Sequence, residues 1–290
     1  MKVFGMVSTA ASTTYTPEAL ASFFRHTAIS SDDRFLLFDN DGALPDEIAR
    51  NFQRLEVQRN VTPRSFAANV NAALRQAEQS SADLYFLNND LIFTSGWLEP
   101  LEGGPEGILS PCSNREFPYL RELFRAERVL ELSHYLEHGD QLELITQAHR
   151  ARHSGYRKVL TLPFFCVKLP YAVYSKVGDL DENFGKGGAE DNDYTLRAYL
   201  EGFSVHYALA SYVLHFNGRS TWNGAEAEEE SRERERQYLD VFRAKWGDEL
   251  LQLAIMGKSA VLAANPQSLT AARTGDFRGV ITALRGDTST

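Results

Sequence analysis

Short apolar runs alternate with amphipathic segments along roughly the first 112 residues, and this alternation constrains the fold more than any other feature. The runs are KVFGMV, RFLLFDNDG, RLEVQRN, DLYFLNND and GILSPC. Between them stand a helix start at Thr16-Pro17 and a one-sided apolar stripe of Phe66, Val70 and Leu74. Runs that are nearly continuous in large apolar side chains suit strands covered on both faces. The alternation therefore predicts an α/β fold, with a mostly parallel sheet flanked by helices.

Polar residues interrupt the fourth run. In ADLYFLNNDLIFTSGW, Asn88, Asn89 and Asp90 stand between two apolar stretches. A buried carboxylate without a partner is costly, whereas ligands bind beyond the carboxyl ends of strands in open α/β sheets. Asp39 and Asn40 stand at the end of the second run in the same way. We therefore expect these residues to line a cleft rather than the core.

The composition narrows the classes of partner and compartment. With 290 residues and 43% hydrophobic content, the chain can bury a large core, as one large domain or a domain with an appendage. A formal net charge of −9 argues against a broad basic face for nucleic acid. Only Cys112 and Cys166 occur, which fits a reducing compartment. The apolar run at the N-terminus is too short for a signal peptide, and no segment suits a membrane span, so we expect a cytoplasmic protein.

The second half of the chain has a different texture. Residues 115–160 are rich in charge and helical in pattern, and they predict an insertion. Helices are predicted near 170–178 and 190–202, because each segment has a start signal and a terminal glycine. The run SVHYALASYVLHF predicts a strand that ends at His215.

A charge-rich segment precedes the C-terminus. EAEEESRERER predicts a solvated helix face with Glu228–Arg232 and Glu230–Arg234 pairs at i,i+4 spacing. The apolar residues that follow predict packing of this helix on the core. The last 25 residues have weak periodicity and a polar end, and they predict a loose tail.

Several segments together carry a family resemblance. FLLFDNDG, LYFLNNDLIFTSGWLEPL, VGDLDENFGKGGAEDNDYTLRAYLEGFSV and SYVLHFNGRSTW, in this order and spacing, resemble family 2 glycosyltransferases with the GT-A fold. The resemblance implies a Rossmann-like GT-A domain over 1–222, with 115–160 as a helical insertion and 223–290 as a helical extension and tail. GGAEDNDY is similar to the G-G-E-D acceptor motif of β-1,4-galactosyltransferases and chondroitin-polymerase-type enzymes, with Ala189 inserted before Glu190.

The resemblance implies a metal-dependent, inverting transfer of a sugar from a nucleotide-diphosphate donor. A hard divalent cation neutralises the charge that grows on the leaving diphosphate, and carboxylate oxygen with imidazole nitrogen suits Mn²⁺ or Mg²⁺. By resemblance, Asp90 and His215 hold this ion. From the residues alone, Asp90 as a turn or capping acid and His215 as a structural histidine both stay open.

Donor contacts are implied in the same way. Asp39 would contact the base or ribose, with Asn88 and Asn89 as amide candidates for nucleotide binding. Asn88 departs from the D-x-D motif, because an amide hydrogen-bonds a ribose hydroxyl but is a poor metal ligand. Arg219 and Ser220 would reach the diphosphate. A turn acid at Asp39 and a surface turn at Arg219 and Ser220 are the alternatives.

On the acceptor side, the resemblance implies that Asp191 is the general base and that Glu190 positions the acceptor hydroxyls. Gly188 belongs to the flexible glycine-rich stretch beside them, and Trp97 would stack on a sugar face. The alternatives are that Asp191 or Asp193 caps the following helix, and that Trp97 packs in the core.

Two other functional classes stay open. A nucleotidyltransferase would have a similar sheet, but STAASTTYTP stands where its glycine-rich loop would follow the first strand. A nucleotide- or carbohydrate-binding module would keep the fold without turnover. The expected partners are a UDP-linked sugar donor and a glycan, lipid-linked or small-molecule acceptor, with no nucleic acid. The particular sugar, base, acceptor and oligomeric state are not determined by the sequence.

Overall fold

One sheet organises the chain in the computed structural model, which describes residues 1–52, 54–117, 130–219 and 226–285. Its strands within these ranges are β1 Lys2–Ser8, β2 Arg34–Asp39, β3 Leu55–Arg59, β4 Asp83–Asn88, β5 Leu91–Phe93, β6 Gly107–Cys112, β7 Tyr156–Lys158, β8 Cys166–Leu169 and β9 Ser204–His215. The strand order is β3-β2-β1-β4-β8-β6-β9-β5, and β7 pairs with β9.

The sheet is parallel on one side and mixed on the other. β1 pairs in parallel with β2 and β4, and β2 pairs in parallel with β3. β8 runs antiparallel between β4 and β6, and β5 and β7 run antiparallel to β9. The mostly parallel arrangement expected from the sequence therefore holds for β1–β4, while the later strands make the sheet mixed.

Helices cover both faces of the sheet. They are α1 Thr16–His26, α2 Asp46–Asn51, α3 Phe66–Glu78, α4 Glu99–Glu102, α5 Leu132–Arg152, α6 Tyr171–Val177, α7 Glu190–Leu200, α8 Glu228–Trp246, α9 Asp248–Leu250, α10 Ala260–Ala264, α11 Pro266–Thr274 and α12 Phe277–Arg285. The signals for helix ends act as expected, because α6 follows Pro170 and ends at Gly178, which has a φ of 80°. Among these helices, none combines the length and apolarity needed to cross a bilayer.

The core has two apolar layers, one on each face. On one face, Phe23 of α1 contacts Phe4 of β1 edge to face, with ring centroids 4.9 Å apart, and lies 5.3 Å from Phe93 of β5. Aromatic pairs of this geometry add about 0.5–1.5 kcal/mol beyond their buried area. On the other face, α3, α7 and α8 bury residues such as Val70 and Tyr194 in a second cluster.

The C-terminal residues are helical, so the prediction of a loose tail is wrong for the described part up to residue 285. Asn265 begins α11 as a cap, with its Oδ1 accepting from the backbone N–H groups of Gln267 and Ser268 at 3.1 Å each. Val280 and Ile281 of α12 are buried, which anchors the segment to the core. Phe277, Val280, Ile281 and Leu284 stand at the i, i+3, i+4 and i+7 spacing of an amphipathic helix, a local signal that the prediction of a loose tail overlooked.

The region predicted as a helical insertion, 115–160, is helical where α5 runs through it. Its end differs, because Tyr156–Lys158 form the short strand β7 against β9. Residues 118–129 of this prediction lie outside the described residues.

Strand register brings the polar strand ends together. Ser8 of β1 lies opposite Asp39 of β2, and Val7 lies opposite Asn88 of β4. After β4 the chain turns into β5, where Leu91 pairs with His215 at the end of β9. A residue just before β5 and a residue at the end of β9 are thereby brought to the same place, although the sequence separates them widely.

Candidate functional site

Asp90 and His215 form a buried pair at the end of β5 and β9. Asp90 Oδ2 accepts a hydrogen bond from the Arg219 backbone N–H at 2.9 Å, and Asp90 Oδ1 lies 3.4 Å from His215 Nε2. Among the described residues, neither Oδ1 nor Nε2 has a hydrogen-bond partner, although both atoms are buried. Phe165 stacks on the His215 ring with centroids 4.8 Å apart, which fixes the ring's plane. Such unsatisfied buried polar atoms are rare because each costs desolvation energy.

The same two atoms fit a divalent cation. Metal–ligand distances of about 2.0–2.3 Å to each atom are compatible with their 3.4 Å separation. A carboxylate oxygen with an imidazole nitrogen suits Mn²⁺ or a similar ion. Within the described ranges, no cluster of three or more His, Cys, Asp or Glu residues is arranged for a metal. Asp90 and His215 would supply two ligands to such an ion, with phosphate or water in its remaining positions.

Asp39 lies at the end of β2 and Asn88 at the end of β4, the strands on either side of β1. The Asp39 side chain is buried, its Oδ1 accepts from the Leu44 backbone N–H at 3.3 Å, and its Oδ2 lies 3.5 Å from Arg59 Nε. Oδ2 has no hydrogen-bond partner among the described residues. Asn88 lines the cleft, held by its backbone N–H donating to the Phe165 carbonyl at 2.7 Å. Asn88 therefore lines the cleft, whereas Asp39 is buried at the end of β2.

Asn89 does not face the cleft, and its prediction as a donor-binding residue needs correction. It is fully buried, and its Nδ2 donates to Ser12 Oγ at 2.7 Å and Thr16 Oγ1 at 2.8 Å. Successive residues of an extended chain point to opposite sides, so one of the two adjacent amides must turn away. Asn89 therefore ties the start of α1 to the end of β4.

Trp97 is also misassigned by the sequence prediction. Its side chain is fully buried, packs on Phe23 and Phe93, and donates from Nε1 to Thr27 Oγ1 at 2.9 Å. An indole without exposed area has no face to offer a sugar. Trp97 is a core residue and not an acceptor-binding residue. Ser220 lies outside the described residues.

Arg219 contributes its backbone to the site. Its N–H binds Asp90, while its guanidinium Nη2 binds Glu131 Oε1 at 2.5 Å. The predicted contact between this side chain and a diphosphate would require the Glu131 pair to be exchanged.

Glu190 and Asp191 begin α7 as an adjacent acid pair. Glu190 is 5% exposed, and its Oε2 accepts from the Gly188 backbone N–H. Asp191 accepts from the N–H groups of Asn192 at 2.7 Å and Phe164 at 3.3 Å. The inserted Ala189 takes a left-handed φ of 65°, which turns the chain into the helix at this point.

Burial perturbs both acids of this pair. Burial, assisted by the charge of Asp191, raises the pKa of Glu190 to about 8. Burial also raises the pKa of Asp191 to about 6, against the stabilising backbone N–H groups. Carboxyl groups with a pKa near neutrality suit proton exchange with a hydroxyl.

Asp193 stays outside this chemistry. It is fully buried, and it accepts from Trp246 Nε1 at 2.8 Å and Arg197 Nε at 2.9 Å. The bonds to Trp246 and Arg197 support the structural role that the sequence left open for Asp193.

A single cleft of about 230 Å³ connects the two groups of residues. It is lined by Asn88, His215, Gly188, Glu190 and Asp191, together with Phe66, Arg115, Phe165 and Arg234, which were not predicted as site residues. A larger depression of about 610 Å³ lies between α1 and α5, and none of the predicted site residues lines it.

Arg234 is the least expected residue of the cleft. The sequence predicts a solvated pair with Glu230, whereas the Arg234 side chain is only 18% exposed and pairs with Glu226 at 3.0 Å. Its Nη1 also donates to the Gly187 carbonyl at 3.3 Å. No local signal distinguishes this arginine from the others in a charge-rich helix. The predicted Glu228–Arg232 pair is present.

Similarity to known proteins is found in the three-dimensional structure and not in the sequence. No protein-family model matches the sequence, and no curated protein sequence matches it either. Similar solved structures include GalNAc-T7 with UDP, GalNAc and Mn²⁺ (TM-score 0.56, 10% identity), where the match covers 98% of this chain and 55% of that chain. The mannosyltransferase PcManGT from Pyrobaculum calidifontis with GDP-Man and Mn²⁺ follows (TM-score 0.55, 13% identity, 98% and 85% covered). S. aureus TarS 1-349 with UDP-GlcNAc is also similar (TM-score 0.51, 15% identity, 99% and 91% covered).

These similarities establish the fold class. The neighbours are GT-A glycosyltransferases, and this chain has the GT-A fold, a mixed sheet flanked by helices with further helices at its C-terminus. The chain spans only about 55% of the length of GalNAc-T7. At 10–15% identity the likeness concerns the fold, and the activity has to be argued from the site.

Proposed function

We propose that the protein is a glycosyltransferase that moves a sugar from a nucleoside-diphosphate sugar to an acceptor hydroxyl. The observation that carries this proposal is one cleft with two chemically different ends. One end is lined by Asn88 and His215, whose Nε2 lies 3.4 Å from the buried Asp90 Oδ1, and the other end is lined by the Glu190–Asp191 pair. The GT-A fold and the nucleotide, nucleotide-sugar and Mn²⁺ complexes of the structural neighbours support the proposal.

At the donor end, the chain's residues bind the nucleotide and hold its diphosphate. Asp39 Oδ2, at the end of β2, offers a buried acceptor for an N–H or hydroxyl of the base or ribose. Asn88 offers an amide for a ribose hydroxyl. Asp90 and His215 would hold Mn²⁺ or Mg²⁺, which supplies neutralisation of the charge on the leaving diphosphate.

At the acceptor end, the acid pair handles the proton. Asp191 accepts the proton of the acceptor hydroxyl while that oxygen forms a bond to C1 of the sugar. The bond between C1 and the diphosphate oxygen breaks, and the nucleoside diphosphate leaves with the electron pair. A base on the face opposite the leaving group gives inversion at C1. Glu190, beside Asp191, would accept a hydrogen bond from a second acceptor hydroxyl or remain protonated and donate one.

The donor is proposed to be UDP-linked, and the acceptor a hydroxyl of a glycan, a lipid-linked sugar or a small molecule. The cleft has apolar and aromatic walls from Phe66, Phe164 and Phe165, on which sugar or ribose faces can pack.

A panel of donors tests the proposal. Purified protein is incubated with UDP-GlcNAc, UDP-GalNAc, UDP-glucose or GDP-mannose, with Mn²⁺ or with EDTA, and released UDP or GDP is measured. We expect release from one donor, dependent on Mn²⁺, and loss of release in Asp191→Asn. Arg232→Ala, a change on the exposed face of α8, is the control that should behave as wild type.

Binding separates the alternatives. A nucleoside diphosphate at 100 times its Kd stabilises the folded state by about 2.7 kcal/mol, which a thermal-shift measurement detects. Binding of UDP or GDP with Mn²⁺ but no release from any donor would favour the non-catalytic binding module. Absence of both would reject a nucleotide-sugar site.

A further inference from the structure

The helix α8 presents one stripe of side chains to the segment that carries the acid pair. Arg234, Tyr238, Phe242 and Trp246 follow each other at i,i+4 spacing, so they lie on one face of the helix. Phe242 is fully buried and Trp246 is 3% exposed, whereas the Arg232 side chain on the other face is 71% exposed. Arg234, the first residue of this stripe, lines the cleft.

At its first half, α8 contacts the backbone immediately before the acids. A Cβ placed on Gly188 would overlap Tyr238 Cδ1, so the tyrosine ring lies directly against this glycine. Arg234 Nη1 donates to the Gly187 carbonyl at 3.3 Å, and Glu226 holds the guanidinium through Nε at 3.1 Å. The Gly188 N–H in turn donates to Glu190 Oε2. The backbone that orients Glu190 is therefore clamped from outside.

The C-terminal half of α8 contacts Asp193, which lies in the first turn of α7 two residues after Asp191. Trp246 Nε1 donates to Asp193 Oδ1 at 2.8 Å. Lys245 Nζ lies 2.8 Å from Asp193 Oδ1 and 2.8 Å from Asp181 Oδ2. Asp193 is fully buried, so these interactions are shielded from water. Glu190 and Asp191 lie between two fixed points.

Charge adds to this arrangement. Burial and the charge of Asp191 raise the pKa of Glu190, and the Arg234 guanidinium opposes that rise. Arg234 is thus a cation of α8 close enough to lower the pKa of Glu190.

We propose that α8 is the positioning element of the acid pair: Tyr238 and Arg234 hold Gly187 and Gly188 in the conformation that aims the Glu190 and Asp191 carboxylates into the cleft. This inference rests on the proposed function, since it assigns the two residues a role in sugar transfer through the acids. Tyr238 and Arg234 are positioning residues, and Glu190 and Asp191 act on the substrate.

The full chain and four variants test the assignment. Tyr238→Ala removes the ring, Tyr238→Phe retains it, and Arg234→Ala removes the guanidinium. Arg232→Ala has the same change of charge two residues earlier on the exposed face and is the matched control. Hydrogen exchange of a peptide covering 187–193 reports on the backbone of the segment without any need for activity.

We expect exchange in 187–193 to rise by about tenfold or more in Tyr238→Ala and Arg234→Ala, because a local hold is lost. Release of UDP or GDP from the donor that wild type uses should fall in kcat by about 10- to 100-fold, because misplacement of about 1 Å is enough for such a loss. The KM for the donor should change by less than about threefold, because the donor end of the cleft is untouched. Tyr238→Phe should restore both readouts, and Arg232→Ala should match wild type.

Distinct results overturn the inference and the proposed function. Unchanged exchange in Tyr238→Ala and Arg234→Ala would show that α8 does not hold the segment. Raised exchange with wild-type kcat would show that the hold does not serve catalysis, and a Phe variant as impaired as the Ala variant would exclude the ring contact as the cause. A wild type that releases no nucleoside diphosphate from any donor would instead reject the proposed function, and with it the role of α8.

Discussion

Replacing Glu190 by glutamine tests whether the buried Glu190 carboxyl group lowers the free energy of unfolding. Glu190 is 5% exposed at the start of α7, and its Oε2 accepts from the Gly188 N–H. Glutamine has nearly the same shape and keeps an oxygen for that N–H. The substitution therefore removes a buried charge with little repacking.

The magnitude follows from the pKa of the carboxyl group. Burial and the charge of Asp191 raise the pKa of Glu190 from 4.5 to about 8 in the folded protein. Each pKa unit corresponds to about 1.36 kcal/mol, so ionising Glu190 costs about 5 kcal/mol more in the folded than in the unfolded state. Between these two pKa values the folded state keeps a proton that the unfolded state has released, so wild-type stability falls as pH rises through the window. Glu190→Gln should therefore gain roughly 3–5 kcal/mol over wild type at about pH 9 and little at about pH 4.

Urea unfolding of both proteins at these two pH values measures the difference. Glu201→Gln, at an exposed acid that directly follows α7, is the matched control and should change stability little at either pH. The reasoning is refuted if Glu190→Gln gains no more stability at high pH than at low pH. Under the proposed function, sugar transfer should fall in the same variant, because glutamine offers no carboxylate to an acceptor hydroxyl.

Four further outcomes are expected. Asp90→Asn should abolish the Mn²⁺-dependent part of the thermal stabilisation by UDP, and retention of that part would remove Asp90 from the metal site. His215→Ala should weaken Mn²⁺ affinity in the presence of UDP by about tenfold or more in calorimetric titration, because a ligand is lost; an unchanged affinity contradicts this. Asp191→Asn should retain UDP binding but lower transfer by roughly 10²–10⁴-fold, and near-normal transfer would place the base elsewhere. Trp97→Ala should cost about 3–5 kcal/mol of unfolding free energy and leave the KM for donor and acceptor unchanged, whereas a raised acceptor KM would return the indole to the sugar site.

Much of the fold could be predicted because it depends on local patterns. Apolar runs and one-sided apolar stripes of a few neighbouring residues predict seven elements correctly: β1, β2, β3, β4, β6, α1 and α3. The helix α11 was missed because it buries only Ser268, whereas α12 was missed although Phe277, Val280, Ile281 and Leu284 follow a helical apolar period.

The candidate site shows the same division. Asp39 and Asp90 were predicted correctly at the ends of strands, since strand ends can be read from the apolar runs. Which of Asn88 and Asn89 faces the cleft was not predictable, because a change of one position reverses the direction of a side chain. Trp97 was predicted at the sugar site but lies in the core, because the sequence around Gly96 does not show whether the following aromatic side chain points to the core or to solvent.

By itself the sequence determined the order of β1–β4 and β6 with α1 and α3, the acidic strand ends and the acid pair at the start of α7, because these features arise from neighbouring residues. The tertiary structure decided the partners. The pairing of Leu91 with His215 brings the imidazole within 3.4 Å of Asp90, and the packing of α8 turns Arg234 from a surface charge into a wall of the cleft. The reason is that burial and pairing depend on segments far apart in the chain, and only their packing excludes the water that would otherwise screen each charge.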